Sequence, residues 1–119
     1  MTTIKSYTDL EQSKKLTEIL PFKSADMCYE RMEFTSDIPS TVEYNCMPTF
    51  KCNAVIYKAI PCWSLAALLN VLPDVHLKKY VYDGITKYYA TLIGIREFNS
   101  KHYDNPVDAC YETIIKLKE

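Results

Sequence analysis

The sequence predicts an α+β fold: three helices packed on a small, mainly antiparallel sheet that contains a hairpin over residues 77–95. Three observations carry this. Asp83-Gly84 stands between two runs rich in Tyr, Val, Ile and Thr, the pattern of strands joined by a two-residue turn. The C-terminal DNPVDACYETIIKLKE combines a cap, a proline for the first helical position and an apolar stripe at helical spacing. The order helix, strands, helix, hairpin, helix then excludes the regular strand–helix alternation of a parallel sheet. With 119 residues, no repeats and no Gly/Ser linker, residues 1–119 read as one globular domain.

Each element has its own warrant. TDLE is a capping box, with Thr8 as cap and Glu11 reaching back to it. Leu10, Leu16, Ile19 and Leu20 follow at rough helical spacing, and Pro21 stops the helix. Residues 22–30 form a turn and a short extended piece, with Ser24 or Asp26 able to cap a helical turn. Pro39 and Pro48 bracket STVEYNCM, where Val42 and Tyr44 alternate with polar neighbours as in an edge strand. Residues 53–60 read as a better strand, with Val55, Tyr57 and Ala59 on one face and Pro61 ending it.

Helix 64–72 presents Leu65, Leu68, Leu69 and Leu72, and Ala66, Ala67 and Val71 make it apolar nearly all round. Such a helix is expected to be covered on more than one face. In the hairpin, a two-residue turn sets Tyr82 opposite Ile85 and Tyr80 opposite Lys87, distributing the tyrosines over both sheet faces. The last helix is capped by Asp104 or Asn105 and starts at Pro106, with acids near its positive end and lysines near its negative end. Its stripe of Val107, Cys110, Ile114 and Leu117 is expected to face the hairpin.

Composition narrows the function. A net charge of −1 with mixed signs leaves no basic stripe, which disfavours nucleic-acid binding; a single-strand binder using stacked tyrosines remains a third-ranked reading. No run of 18 apolar residues exists and MTTIKSYTDLEQSKK lacks an apolar signal core, so a cytoplasmic location with no membrane partner is expected. The five cysteines are odd in number and irregularly spaced, without a C-x-x-C pair. They read as free thiols; no metal and no cofactor are expected.

One stretch carries two opposed readings. In IPCWSLAALLNVLPD, Ser64 can be the N-cap, with Trp63 stapling onto Leu68 and Cys62 left outside the helix. Alternatively Pro61 is the first helical residue and Cys62 lies in the first turn. There its thiol would be activated as a nucleophile, with His76 or His102 as base. That second register is similar to papain-type cysteine proteases, in which Cys-Trp opens a helix. The likeness covers two residues, and KAIPCW replaces the family's C-G-[SA]-C-[WY].

Taken together, SADMCYE, IPCWSLAALLNVLP and DNPVDACYETIIKLKE resemble small uncharacterised proteins encoded in gut Bacteroidetes, their phages and mobile elements. The resemblance implies a compact bacterial or phage cytosolic protein and brings no catalytic residues with it. The expected function is a non-enzymatic protein-binding or accessory module, because ten tyrosines against two glycines offer contact area at low entropic cost. Tyr80, Tyr82, Tyr88 and Tyr89 are the candidate partner-binding residues. The partner is another protein or a second copy of the chain, since a small sheet leaves edges to cover. A hydrolase using Cys62 is the alternative.

Overall fold

Asp9, not Thr8, caps the first helix. In the computed structural model, which describes residues 5–30, 43–50, 59–93 and 98–118, α1 spans Leu10–Thr17. Asp9 accepts from the Gln12 backbone at 2.8 Å while the Gln12 side chain accepts from the Asp9 N–H, a capping box one residue later than TDLE implies. Thr8 is displaced from that role because it is wholly buried. It pairs with Trp63: its N–H donates to the Trp63 carbonyl at 2.9 Å, and its Oγ1 accepts the Trp63 N–H at 3.1 Å. The helix ends at Thr17, and Pro21 instead introduces a 3₁₀ turn over Phe22–Ser24.

Among the described residues the α-helices number three and the paired strands are antiparallel, as expected, but the strands divide into two sheets. The first has the order β2-β1-β3, with β1 at Met27–Tyr29, β2 at Thr49–Phe50 and β3 at Ile60–Cys62. Pro61 does not end a strand but lies inside β3, opposite Cys28. It is tolerated because β3 is an edge strand, where a residue can lack a ladder N–H. Residues 53–58 of the strand expected over 53–60 lie outside the described residues, as do Pro39 and Val42; Ala59 falls just before β3, and Tyr44 makes an isolated bridge.

The second sheet has the order β4-β5-β6, with β4 at Val75–Tyr82, β5 at Ile85–Leu92 and β6 at Phe98–Asn99. The hairpin register is the expected one, Tyr82 opposite Ile85 and Tyr80 opposite Lys87. Asp83 and Gly84 have φ of 52° and 78°, the paired positive values of a turn that matches strand twist.

Helix α2, Leu65–Val71, packs on α3, Pro106–Lys118, and α3 lies against β5 and β4 of the second sheet, whereas α1 packs on β3 of the first. The main core joins Leu16 and Leu20 of the first helical region, Trp63, Leu68 and Leu72 around α2, and Val107, Cys110 and Ile114 of α3. Asn105 is the cap of α3, accepting from the Asp108 N–H at 2.8 Å. Its stripe turns toward α2 as well as β5. Leu117, expected on that stripe, is 45% exposed because the helix has by then run past the core. Ala66 of α2 is exposed too, so that helix keeps one open side. Among the described residues no helix is long and apolar enough to cross a membrane.

Candidate functional site

The hairpin register decides what its faces carry. Residues directly opposite in an antiparallel pair share a face, and successive residues alternate. Val75, Leu77 and Ala90 therefore share one face; Ala90 is fully buried, and Val75 and Leu77 pack on the core. Tyr80, Tyr82, Ile85, Lys87 and Tyr89 share the other. Toward the turn this outer face is open: Tyr82 is 77% and Ile85 56% exposed, while Val81, on the opposite face past the end of the core, is also exposed. Tyr80, Tyr82, Ile85 and Lys87 line a hollow of about 170 Å³. That is small for an organic ligand, whose pockets usually start near 300 Å³. Tyr88, grouped with these tyrosines on sequence grounds, alternates to the inner face, half-buried and paired through its backbone with Tyr103 at 2.7 and 2.8 Å.

The base of the outer face is braced by His102. Its ring stacks on Tyr89, with centroids 4.7 Å apart and planes 13° from parallel. It meets Tyr80 edge-on at 5.3 Å, and its Nδ1 is hydrogen-bonded to the Tyr80 hydroxyl at 2.6 Å. A β-bulge puts it there. Thr91 pairs with Asn99 and the Ser100 N–H donates to the Ala90 carbonyl, yet Tyr88 pairs with Tyr103. Lys101 and His102 together thus oppose the single residue Tyr89. In unbroken register His102 would have fallen opposite Tyr88, on the inner side. The Ser100 hydroxyl holds the bulge by accepting the Ala90 N–H at 2.8 Å. Lys78 lies over the Tyr89 ring at 5.9 Å, and Lys87 is ion-paired with Asp104.

The Cys62 corner takes the capping register. Ser64 Oγ accepts from the Ala67 N–H at 3.2 Å and donates to Asp26 Oδ2, while Asp26 Oδ1 accepts the Ser64 N–H at 2.9 Å. Trp63 is fully buried with Leu68 in one cluster, and its indole N–H donates to Ser24 Oγ at 2.9 Å. Ser24 and Asp26, read as caps of their own turn, thus secure the start of α2 instead. Cys62 lies before the helix, fully buried, with Sγ 3.3 Å from the Thr8 carbonyl and 3.5 Å from Thr8 Oγ1. Burial pushes its thiol pKa up, against hydrogen bonds from Thr8, Ser13 and Tyr29 that pull it down. His102 is engaged with Tyr80 and Tyr89, and His76 stands exposed on β4 opposite Thr91. The nucleophile reading needs a reachable thiolate beside a base. The corner provides a protonated thiol locked into a polar core.

The outer tyrosines were legible through the hairpin rule. The role of His102 was not, because a one-residue bulge leaves no composition signal; Ile85 gains its importance from exposure alone. The fold and the face define a small α+β protein with a braced aromatic hairpin above a closed core. Compared with protein-family models, curated proteins and solved structures, the chain matches none.

Proposed function

We propose that this protein is a non-enzymatic protein-binding module whose contact surface is the outer face of the β4–β5 hairpin. The observation that carries the reading is the exposure of Tyr82 and Ile85 next to a fixed Tyr80–Tyr89–His102 cluster. Large rings held in place before binding lose little freedom when a partner covers them, so their burial is retained as affinity. Single-strand nucleic-acid binding fits less well. The Tyr89 ring is already stacked by His102, and Lys87 is neutralised by Asp104, which removes a base platform and a phosphate contact.

Site-specific photo-crosslinking tests this. A benzoylphenylalanine at position 82 should crosslink to a discrete protein in the source cells, whereas the same group at exposed position 14 on α1 should not. Equal or absent crosslinking at both positions would sink the proposal.

A further inference from the structure

The contact surface has an edge as well as a face, and the edge specifies a partner chemistry, given the protein-binding reading above. β4 borders its sheet, and among the described residues no strand pairs with its outer side. The Ile93 N–H donates to the Asp74 carbonyl at 3.0 Å, which fixes the phase of the ladder. In an antiparallel pair, residues that exchange both bonds alternate with residues that direct both groups away. Val75, Leu77, Lys79 and Val81 therefore turn their N–H and C=O outward, four docking positions over roughly 20 Å of edge.

We propose that β4 accepts an extended acidic segment of a partner protein as an added strand, with two consecutive carboxylates meeting Lys78 and Lys79. Successive residues on a strand point to opposite faces, so these lysines flank the edge on both sides, and two consecutive acids on an added strand would do the same. Both lysines are exposed, and neither has a carboxylate within ion-pair distance among the described residues. Lys5 and Lys87, by contrast, are both committed to aspartates. Asp74 and Asp83 sit just beyond the two ends of β4, so the edge is positive in the middle and negative at its ends. That pattern selects a strand with acids at its centre. It also argues against a second copy. A two-fold antiparallel pairing of β4 with itself that uses most of the edge sets Lys78 opposite Lys78 or Lys79 opposite Lys79, and directly opposed like charges destabilise.

Random twelve-residue peptides displayed on phage and selected on the full chain test the inference. The wild type should enrich peptides with adjacent Asp or Glu in a Val/Ile/Thr/Tyr-rich context, and K78E/K79E should enrich Lys and Arg there instead. The best wild-type peptide, synthesised, should lose about tenfold or more in affinity for K78E/K79E. Single N-methylations along its backbone should weaken binding at every second position only, by about tenfold each, as a strand ladder requires. Circular dichroism should show both proteins equally folded, and the N-methyl series needs no protein variant. Peptides without acid bias, or binding indifferent to K78E/K79E or to N-methylation, would overturn the inference. If such peptides still lose binding on Y82S/I85S, the hairpin-face reading stands while the edge falls; if they do not, both fall. Displacement by the oligonucleotide dT12 as readily as by excess peptide would also overturn it, in favour of a nucleic-acid ligand.

Discussion

Thiol labelling separates a structural Cys62 from a catalytic one. Cys62, Cys28 and Cys110 are buried to within 1% of complete, whereas Cys46 is exposed. A buried thiol reacts only when the structure around it opens. If the corner opens only with the domain, the opening free energy is at least about 5 kcal/mol, the low end for a folded domain. At about 1.4 kcal/mol per factor of ten, that slows modification roughly 4,000-fold relative to an open thiol. The raised pKa of Cys62 in the closed state disfavours the other route, direct attack without opening, since the thiolate is the reacting form. Cys110, pushed up to about 11 by burial, should be protected likewise. The assay is a time course with iodoacetamide at pH 8, read by mass spectrometry of peptides carrying each cysteine, and repeated in denaturant to equalise intrinsic reactivity. Labelling of native Cys62 within tenfold of Cys46 would refute the reasoning and return the nucleophile reading to the front.

Two further predictions test how the chain is held together. Asp108 accepts from Lys5, Gln12 and Asn105 at 2.8–2.9 Å; burial works to raise its pKa, but these bonds and the Lys5 charge outweigh it and hold it below the ordinary value. A depressed carboxylate stabilises the fold above its unfolded pKa near 3.9 and loses that contribution as pH falls through the folded value, so Asp108→Asn should cost about 1.5 kcal/mol at pH 7 in urea unfolding and little at about pH 2. Ser64→Ala should cost about 1–2 kcal/mol by loss of the α2 cap, lowering Tm by about 4–8 °C, and a cycle with Asp26→Ala should show coupling of about 1 kcal/mol; additive effects would mean that the Ser64–Asp26 contact contributes nothing.

Local chemistry made much of this fold readable. Asp83-Gly84 fixed the hairpin and its register because the turn requires positive φ at both positions, and those φ values admit few residues. Asn105-Pro106 fixed the start of α3, and Ser64 that of α2, because caps act within one turn. What escaped depends on distant neighbours. Thr8 fits a capping box, and it was drawn into the core because the segment before α1 pairs with Trp63 and Ser64. Pro61 reads as a strand end until β3 is known to be an edge. His102 reads as a loop residue until Lys101 and His102 are counted against the single partner Tyr89.

The division between a closed corner and an open hairpin has a consequence for how binding and stability are related. Thr8 joins α1, β1 and the β3–α2 corner: its carbonyl accepts from the Tyr29 hydroxyl at 2.8 Å, its Oγ1 meets Ser13 Oγ at 2.8 Å, and its backbone is tied to Trp63. None of these bonds reaches the exposed end of the hairpin. Tyr82 and Ile85 bury little within the chain, so replacing them by serine should change stability by no more than about 0.5 kcal/mol, the ordinary range for surface positions. Trp63→Ala, which empties the site of a fully buried indole, should cost about 3–5 kcal/mol. The exposure of Tyr82 and Ile85 at the tip of a braced strand pair is intelligible if a second surface covers them, and Y82S/I85S can remove that surface's anchor without disturbing the core beneath.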